Sequence, residues 1–339
     1  MIEFAYDYLF FLLKIITVVI AFVYIFSVLS SAKLKKQEKG HLTVKNLSKS
    51  FKSMGAQINR SHLPPKDFKK LIKEEKKLDK KISKSKNKEA VFVLDFSGDI
   101  QATGDVKLKE EINAILSSDL KCKEVVLNLE SRGGSAYAYG LCAAELKRLV
   151  DHNINLTVCI DKVAASGGYL MSCVATKIIA APWAIVGSIG VIAQLPNFHR
   201  LLKKNDIDIE LHTAGEFKRT LTSLGKNTAE GRKKFISELQ ELHTVFKDFV
   251  SENRSQINTK KVATGEVWQG NKALELGLID GIGTSNDYLI QLSKKYNLYE
   301  IDFVINETIG DKFSFATQMV IERSVNKFYD LINRDRFIS

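Results

Sequence analysis

The stretch DKVAASGGYLMS, at residues 161–172, holds one hydroxyl among unusually small neighbours. Two alanines precede Ser166, two glycines follow it, and the next residues favour a helix. Small neighbours let the backbone of a substrate approach the hydroxyl, and N–H groups at the start of a helix stabilise an anionic oxygen. The pattern suits a nucleophilic serine with Gly167 as one N–H donor. A serine that only caps a helix would have the same local sequence.

A serine nucleophile also needs a group that accepts its proton. The sequence has no GxSxG motif, and nothing in the local spacing joins His199, His212 and Asp161 into a triad. A lysine is the other choice of base, because burial among apolar groups lowers the pKa of an amine. Lys218 follows a strand-like segment and a glycine turn, but the chain is rich in lysine and spacing alone does not select it.

A second oxyanion donor has to come from another turn whose backbone approaches closely. SRGG, at residues 131–134, ends a predicted strand with two glycines. It suits such a donor, although an ordinary turn between a strand and a helix explains the same residues.

These residues need a scaffold, and strand, glycine turn and helix alternate from residue 90 onward. Strands are predicted in AVFVLDFSGDI, KEVVLNLESRGGSA and INLTVCID, and shorter ones around Pro182 and Gly187. Helices are predicted in VKLKEEINAIL, YAYGLCAAELKRLVDH and a long stretch with Thr228 as N-cap. The alternation predicts an α/β domain with a largely buried sheet.

The N-terminal residues are predicted to form a membrane-spanning segment. Residues 15–32 carry no charge and are long enough to span a bilayer, while Lys14 can extend its amine to the interface. We expect a retained anchor within residues 1–32, because apolar residues begin well before Lys14; a cleaved signal peptide is the alternative.

The charge distribution and the cysteine spacing limit the kinds of partner that the chain is expected to bind. The net charge is +11, with many lysines at residues 33–88, which predict a charged helix or a solvated linker near anionic lipid headgroups. The run lacks interleaved aromatic residues, so nucleic-acid binding is not expected. The four cysteines have no metal-ligand spacing and read as buried apolar side chains: Cys122, Cys142, Cys159 and Cys173.

Several ordered motifs resemble the signal peptide peptidase A family over residues 90–290. They are SRGG, AASGGY, IVGSIGV and GEFKRTLT, followed by TGEVWQGNKALELGLID. The resemblance implies Ser166 as nucleophile and Lys218 as general base. It implies N–H donors at Gly134 and Gly167, and Ser188 as the residue that hydrogen-bonds the lysine amine.

One position departs from the family pattern. The family usually has proline where this chain has Arg132, which makes the turn that carries Gly134 less rigid.

The resemblance further implies a crotonase/Clp-like fold of ββα units and ring-shaped homo-oligomers, in which the lysine serves its own or a neighbouring subunit. No metal or cofactor is expected. The function it implies is a membrane-anchored serine endopeptidase that hydrolyses peptides, such as signal peptides or misfolded envelope proteins, through an acyl-enzyme. The rival interpretations are an acyl-CoA-binding enzyme of the crotonase type and a catalytically silent membrane scaffold.

We therefore expect four segments: an anchor (1–32), a lysine-rich linker or helix (33–88), a Ser/Lys peptidase domain (89–296) and a C-terminal extension with an amphipathic helix (297–339). The expected location is the bacterial inner membrane, with a single pass. Lysines that follow the span place the domain in the cytoplasm by the positive-inside rule. The resemblance places it in the periplasm, which is our expectation, and the cytoplasmic alternative stays open.

Overall fold

The structure is a computed structural model that describes residues 10–15, 17–18, 21–22, 40–83 and 89–305. It divides into two compact units, residues 42–303 and residues 1–41 with 304–339. In the second unit, residues 10–15 are helical.

Two sequence predictions fall on the termini. Most of the expected span at 15–32 and the whole of the expected tail helix at 315–336 lie outside the described residues. Within the ranges that are described, none of the helices combines the length and the apolar character that a bilayer crossing requires.

Strands and helices alternate along the described chain, as predicted. The strands are β1 (Gly40–Asn46), β2 (Ala90–Gly98), β3 (Cys122–Ser131), β4 (Asn155–Ile160), β5 (Val163–Ala165), β6 (Lys177–Ala180), β7 (Ile185–Gly187), β8 (Val267–Gln269), β9 (Gly281–Ile282) and β10 (Asn297–Ile305). The helices are α1 (Leu47–His62), α2 (Pro65–Ser83), α3 (Asp105–Leu116), α4 (Ala136–Asp151), α5 (Gly167–Ser172), α6 (His199–Lys204), α7 (Ala229–Asn253), α8 (Thr259–Val262), α9 (Gly270–Glu275) and α10 (Ser285–Ser293). The lysine-rich stretch thus contains helix α2, and Thr228 caps α7 by accepting a hydrogen bond from the Gly231 N–H.

The described strands form one sheet, whose main path runs β1-β10-β2-β3-β4-β6-β9. Neighbouring strands from β10 to β9 are parallel. β5 leaves this path to pair with β3 and β7, and β8 lies antiparallel to β7. Because parallel strands end at the same edge, the turns after β3, β5 and β7 are brought together.

The centre of the sheet is buried on both faces, which is typical of parallel strands with continuous apolar sequence. One face packs against α3 and α4 through residues such as Ile112 and Leu146. The other face packs against α10 and α1 through Leu289 and Phe51.

One local prediction is wrong. Residues 207–228 contain neither a strand nor a helix, although Ile207, Ile209 and Leu211 alternate with polar residues as in a strand. Their side chains are exposed, and the segment pairs with none of the described strands. Alternation forms a strand only where a neighbouring strand supplies hydrogen bonds, and this segment has no such neighbour among the described strands.

Candidate active site

Ser166 lies in a sharp turn between strand β5 and helix α5. Its φ of 52° and ψ of −117° are unusual for a residue with a side chain. The Ser166 N–H donates to the Gly187 carbonyl oxygen (2.8 Å), and the Leu170 N–H donates to the Ser166 carbonyl oxygen (2.9 Å). Backbone strain of this kind persists only when the surrounding structure enforces it, and it occurs often at active sites.

The Ser166 hydroxyl does not cap the helix. It makes no capping hydrogen bond with α5, and the residue is partly buried. The Ser166 hydroxyl therefore does not stabilise the start of α5 as a side-chain cap.

The SRGG turn lies directly against Ser166. Gly133 has a φ of +85°, and a Cβ atom on it would lie 2.6 Å from the Gly167 nitrogen and 2.7 Å from the Ser166 Cβ. A Cβ on Gly134 would lie 2.1 Å from the Ile100 carbonyl oxygen. Both positions therefore require glycine, one for the approach to Ser166 and the other for the approach to the loop after β2.

The two predicted oxyanion donors lie in this turn and at the start of α5. Among the described residues, the N–H groups of Gly134 and Gly167 donate to no protein acceptor. A Cβ on Gly167 would lie 2.4 Å from the Tyr139 Cγ, so this position also excludes a side chain. An oxyanion hole needs unpaired N–H groups, and that of Gly167 directly follows Ser166.

The turn is anchored without the proline that the family pattern has at Arg132. The Gly133 N–H donates to the Ser131 Oγ (3.0 Å), and the Ser135 N–H donates to the Ile100 carbonyl oxygen (2.8 Å). Sequence analysis did not single out Gly133 or Ser131; the two adjacent glycines after a strand were the signal that could have found them.

Ser188 directly follows β7, as Ser166 directly follows β5. The two strands pair with Ala165 opposite Gly187, so the two serines occupy adjacent strand ends. Ser188 has a φ of 53°, and its N–H donates to the Glu266 carbonyl oxygen (2.6 Å).

Lys218 lies in the irregular segment at 207–228, and its side chain is exposed. Its backbone N–H donates to the Gly215 carbonyl oxygen (3.2 Å). Its amine forms no hydrogen bond or ion pair with a described residue, so the single chain does not join Lys218 to Ser166 or Ser188.

The other titratable groups considered as bases are used elsewhere or stay apart from the serine. Asp161 accepts hydrogen bonds from the N–H (2.8 Å) and the hydroxyl (2.5 Å) of Ser285. The ring of His212 lies 3.3 Å from the Glu210 carboxylate. In the described part of the chain, Ser166 forms no hydrogen bond with Asp161, His212 or His199.

Cys142, Cys159 and Cys173 are buried as predicted, whereas Cys122 is only partly buried. All four are free thiols, and burial raises the pKa of Cys142, Cys159 and Cys173 to about 12. No group of three His, Cys, Asp or Glu side chains suited to a metal occurs within the described ranges.

Comparison with known proteins identifies the family. The model "Peptidase family S49 N-terminal" matches residues 3–146, and "Peptidase family S49" matches residues 148–299. "Probable protease SohB" of Haemophilus influenzae is 40% identical over 96% of this chain and 96% of its own length. This chain belongs to peptidase family S49. The predicted resemblance to the signal peptide peptidase A family is confirmed, and the chain is similar to several proteins named SohB.

Other members and a solved structure are similar to this S49 chain. "Probable protease SohB" of Buchnera aphidicola subsp. Schizaphis graminum is 44% identical over 93% of the chain and 94% of its own length. The solved structure is that of a mutant of the 1510-N membrane-bound stomatin-specific protease in complex with a substrate peptide. Its sequence is 14% identical, and the match covers 68% of this chain and 99% of the solved chain, with a TM-score of 0.39.

Proposed function

We propose that this S49 chain is a membrane-anchored serine endopeptidase of the crotonase/Clp type that uses a Ser166/Lys218 dyad. The observation that carries the proposal is the strained turn at Ser166, which packs against Gly133 of the SRGG turn and is followed directly by the unpaired Gly167 N–H; the Gly134 N–H, next along that turn, is also unpaired. Ser188 would orient the lysine amine from the adjacent strand end.

In the proposed reaction, the neutral Lys218 amine accepts the proton of the Ser166 hydroxyl while Oγ attacks the carbonyl carbon of a peptide bond. The carbonyl oxygen becomes an oxyanion that accepts hydrogen bonds from the Gly134 and Gly167 N–H groups. The ammonium then returns the proton to the leaving amine, the C–N bond breaks, and an acyl ester remains on Ser166. Water that gives a proton to the same lysine hydrolyses the ester and frees the serine.

The base is proposed to reach the serine in an assembly of several copies. The chain at 190–228, which includes the short helix α6, exposes large apolar side chains, and this is typical of a surface that contacts another protein. These side chains include Ile192, Leu195, Phe198, Leu201, Leu211 and Phe217. We propose a homo-oligomeric ring in which this segment packs against a neighbouring copy and Lys218 enters an active site at that contact.

Peptides and membrane lipid are the proposed partners. The uncharged segment at 15–32 would anchor the chain in the bacterial inner membrane by a single pass, and the lysines of 33–88 would contact anionic headgroups. With the domain in the periplasm, the proposed substrates are signal peptides and misfolded envelope proteins. Hydrolysis by this dyad requires neither a metal nor a cofactor.

The test is degradation of an unfolded protein by the full chain in detergent, compared with Ser166→Ala and Lys218→Ala. We expect cleavage by the wild type alone, with all size-exclusion profiles unchanged. Lys218→Arg should also be inactive, because a guanidinium does not become neutral. Cleavage by Ser166→Ala would overturn the proposal. Intact folding without any cleavage would favour the scaffold, and acyl-CoA binding by the wild type would favour an enzyme of the crotonase type.

Mixing the two inactive variants tests where the lysine acts. If Lys218 serves a neighbouring copy, random assembly of equal amounts of Ser166→Ala and Lys218→Ala should restore about a quarter of the activity, since half of the serines and half of the lysines remain. No recovery after confirmed subunit exchange would place the lysine in the same chain as its serine.

A further inference from the structure

A buried hydroxyl network lies beneath the turn that carries the proposed oxyanion donors. Tyr139, on α4, is completely buried, and Ser131, at the end of β3, is 1% exposed. The Tyr139 hydroxyl lies 2.6 Å from the Ser131 Oγ and donates to the Asp99 carbonyl oxygen (2.6 Å). The Ser131 Oγ accepts from the Gly133 N–H (3.0 Å).

The direction of these hydrogen bonds follows from counting protons. Each hydroxyl has one proton to donate. The Tyr139 proton goes to the Asp99 carbonyl, so the Ser131 proton must go to the Tyr139 oxygen. The lone pairs of Ser131 are then left for the Gly133 N–H. The network is fully satisfied in this one arrangement, which favours a rigid turn.

The tyrosine ring also contacts the second proposed donor. A Cβ on Gly167 would lie 2.4 Å from the Tyr139 Cγ, so the ring fills the space below the start of α5. A Cβ on Gly98 would lie 2.4 Å from the Tyr139 oxygen and 2.7 Å from the Ser131 Oγ, so that glycine leaves room for the two hydroxyls. One side chain therefore connects the loop after β2, the SRGG turn and the segment that follows Ser166.

We propose that Tyr139 and Ser131 are positioning residues that set the separation of the Gly134 and Gly167 N–H groups. The inference rests on the proposed function, because it assumes that these two groups bind the oxyanion. Neither hydroxyl touches the substrate, since both are buried below the turn. Their effect is therefore on the transition state, whose oxygen requires both donors within hydrogen-bond distance.

Tyr139→Phe is the decisive variant, because it removes the hydroxyl and keeps the ring below Gly167. We expect kcat to fall about 10-fold to 100-fold, less than the loss of a whole oxyanion donor, with KM changed less than about twofold. Affinity for a peptide aldehyde, whose adduct with Ser166 carries the oxyanion, should fall by the same factor as kcat/KM. Ser131→Ala should give the same losses, and the double variant should add little to either single variant, because both act through one network.

Tyr169→Phe is the matched control. Tyr169 is also completely buried, and its hydroxyl donates to a backbone carbonyl, that of Leu278 (2.8 Å), away from the SRGG turn. The kcat of Tyr169→Phe should stay close to the wild-type value, although this variant should lose about as much stability as Tyr139→Phe. If Tyr139→Phe fails to fold, Ser131→Ala carries the test alone.

Two failures are distinguishable. Equal kcat values for Tyr139→Phe, Ser131→Ala and Tyr169→Phe, with an inactive Ser166→Ala, would overturn the positioning role and leave the proposed function standing. Activity in Ser166→Ala, or no inhibition of the wild type by the aldehyde, would overturn the proposed function itself.

Discussion

Glu111, on helix α3, carries a buried carboxyl group that should make the stability of the fold depend on pH. Its side chain is 1% exposed, and the Lys107 amine lies 3.7 Å from its Oε1. Oε1 also accepts a hydrogen bond from the Phe303 N–H (3.0 Å), whereas Oε2 is buried without a partner among the described residues. Lys107 pairs more closely with Asp302 (2.6 Å), so it compensates Glu111 only in part.

Burial is the largest cause of the shift and raises the pKa of Glu111 from 4.5 to about 7. Between these values the unfolded chain has lost the proton and the folded chain still holds it, so folding becomes less favourable as the pH rises. A difference of about 2.5 pH units corresponds to about 3 kcal/mol. This stability is fully present below pH 4.5 and is lost once the pH has passed about 7.

Glu111→Gln removes the titration and keeps an oxygen that accepts from the Phe303 N–H. The free energy of unfolding is measured with urea on the full chain in detergent, from pH 4.5 to 8. As the pH rises, that of the variant should increase by about 3 kcal/mol relative to the wild type. Glu110→Gln, at the more exposed neighbouring position, should follow the wild type at every pH. A constant difference between Glu111→Gln and the wild type across this range would refute the reasoning.

Substitutions at three further positions test the site and the scaffold. Gly133→Ala should abolish peptidase activity, because alanine is strained at a φ of +85° and its Cβ would lie 2.6 Å from the Gly167 nitrogen, which would displace the proposed oxyanion turn. A normal kcat with an unchanged circular dichroism spectrum would contradict this. Arg254→Met should lower the free energy of unfolding by about 3 kcal/mol, because it leaves the Asp280 carboxylate without its bidentate partner (2.7 and 2.9 Å). A loss below about 1 kcal/mol in urea unfolding would show that the ion pair contributes little. Thr228→Ala should cost about 1 kcal/mol through the lost N-cap of α7, and Thr228→Ser should recover it; equal unfolding midpoints for Thr228→Ala and the wild type would exclude a capping role.

The sequence by itself determined those features that depend on neighbours along the chain. Apolar runs predicted β2, β3 and β4, the first two of them followed by glycine, helical periodicity predicted α3 and α4, and Thr228 marked the start of α7. The placement of Ser166 between a strand and a helix was also readable, because the small residues around it are contiguous. Family membership followed from several such motifs in order, which is stronger information than any one of them.

Tertiary structure decided everything that depends on contacts between distant segments. The pairing of β5 with β7 set Ser188 beside Ser166, and the loop after β2 met the SRGG turn through Ile100 and Ser135. The role of Gly133 and the buried pair of Ser131 and Tyr139 became visible only there. Conversely, the alternating residues 207–211 formed no strand. A local pattern states which face of a segment is apolar, but burial and hydrogen bonding depend on the segments that lie opposite, and only the folded chain selects them.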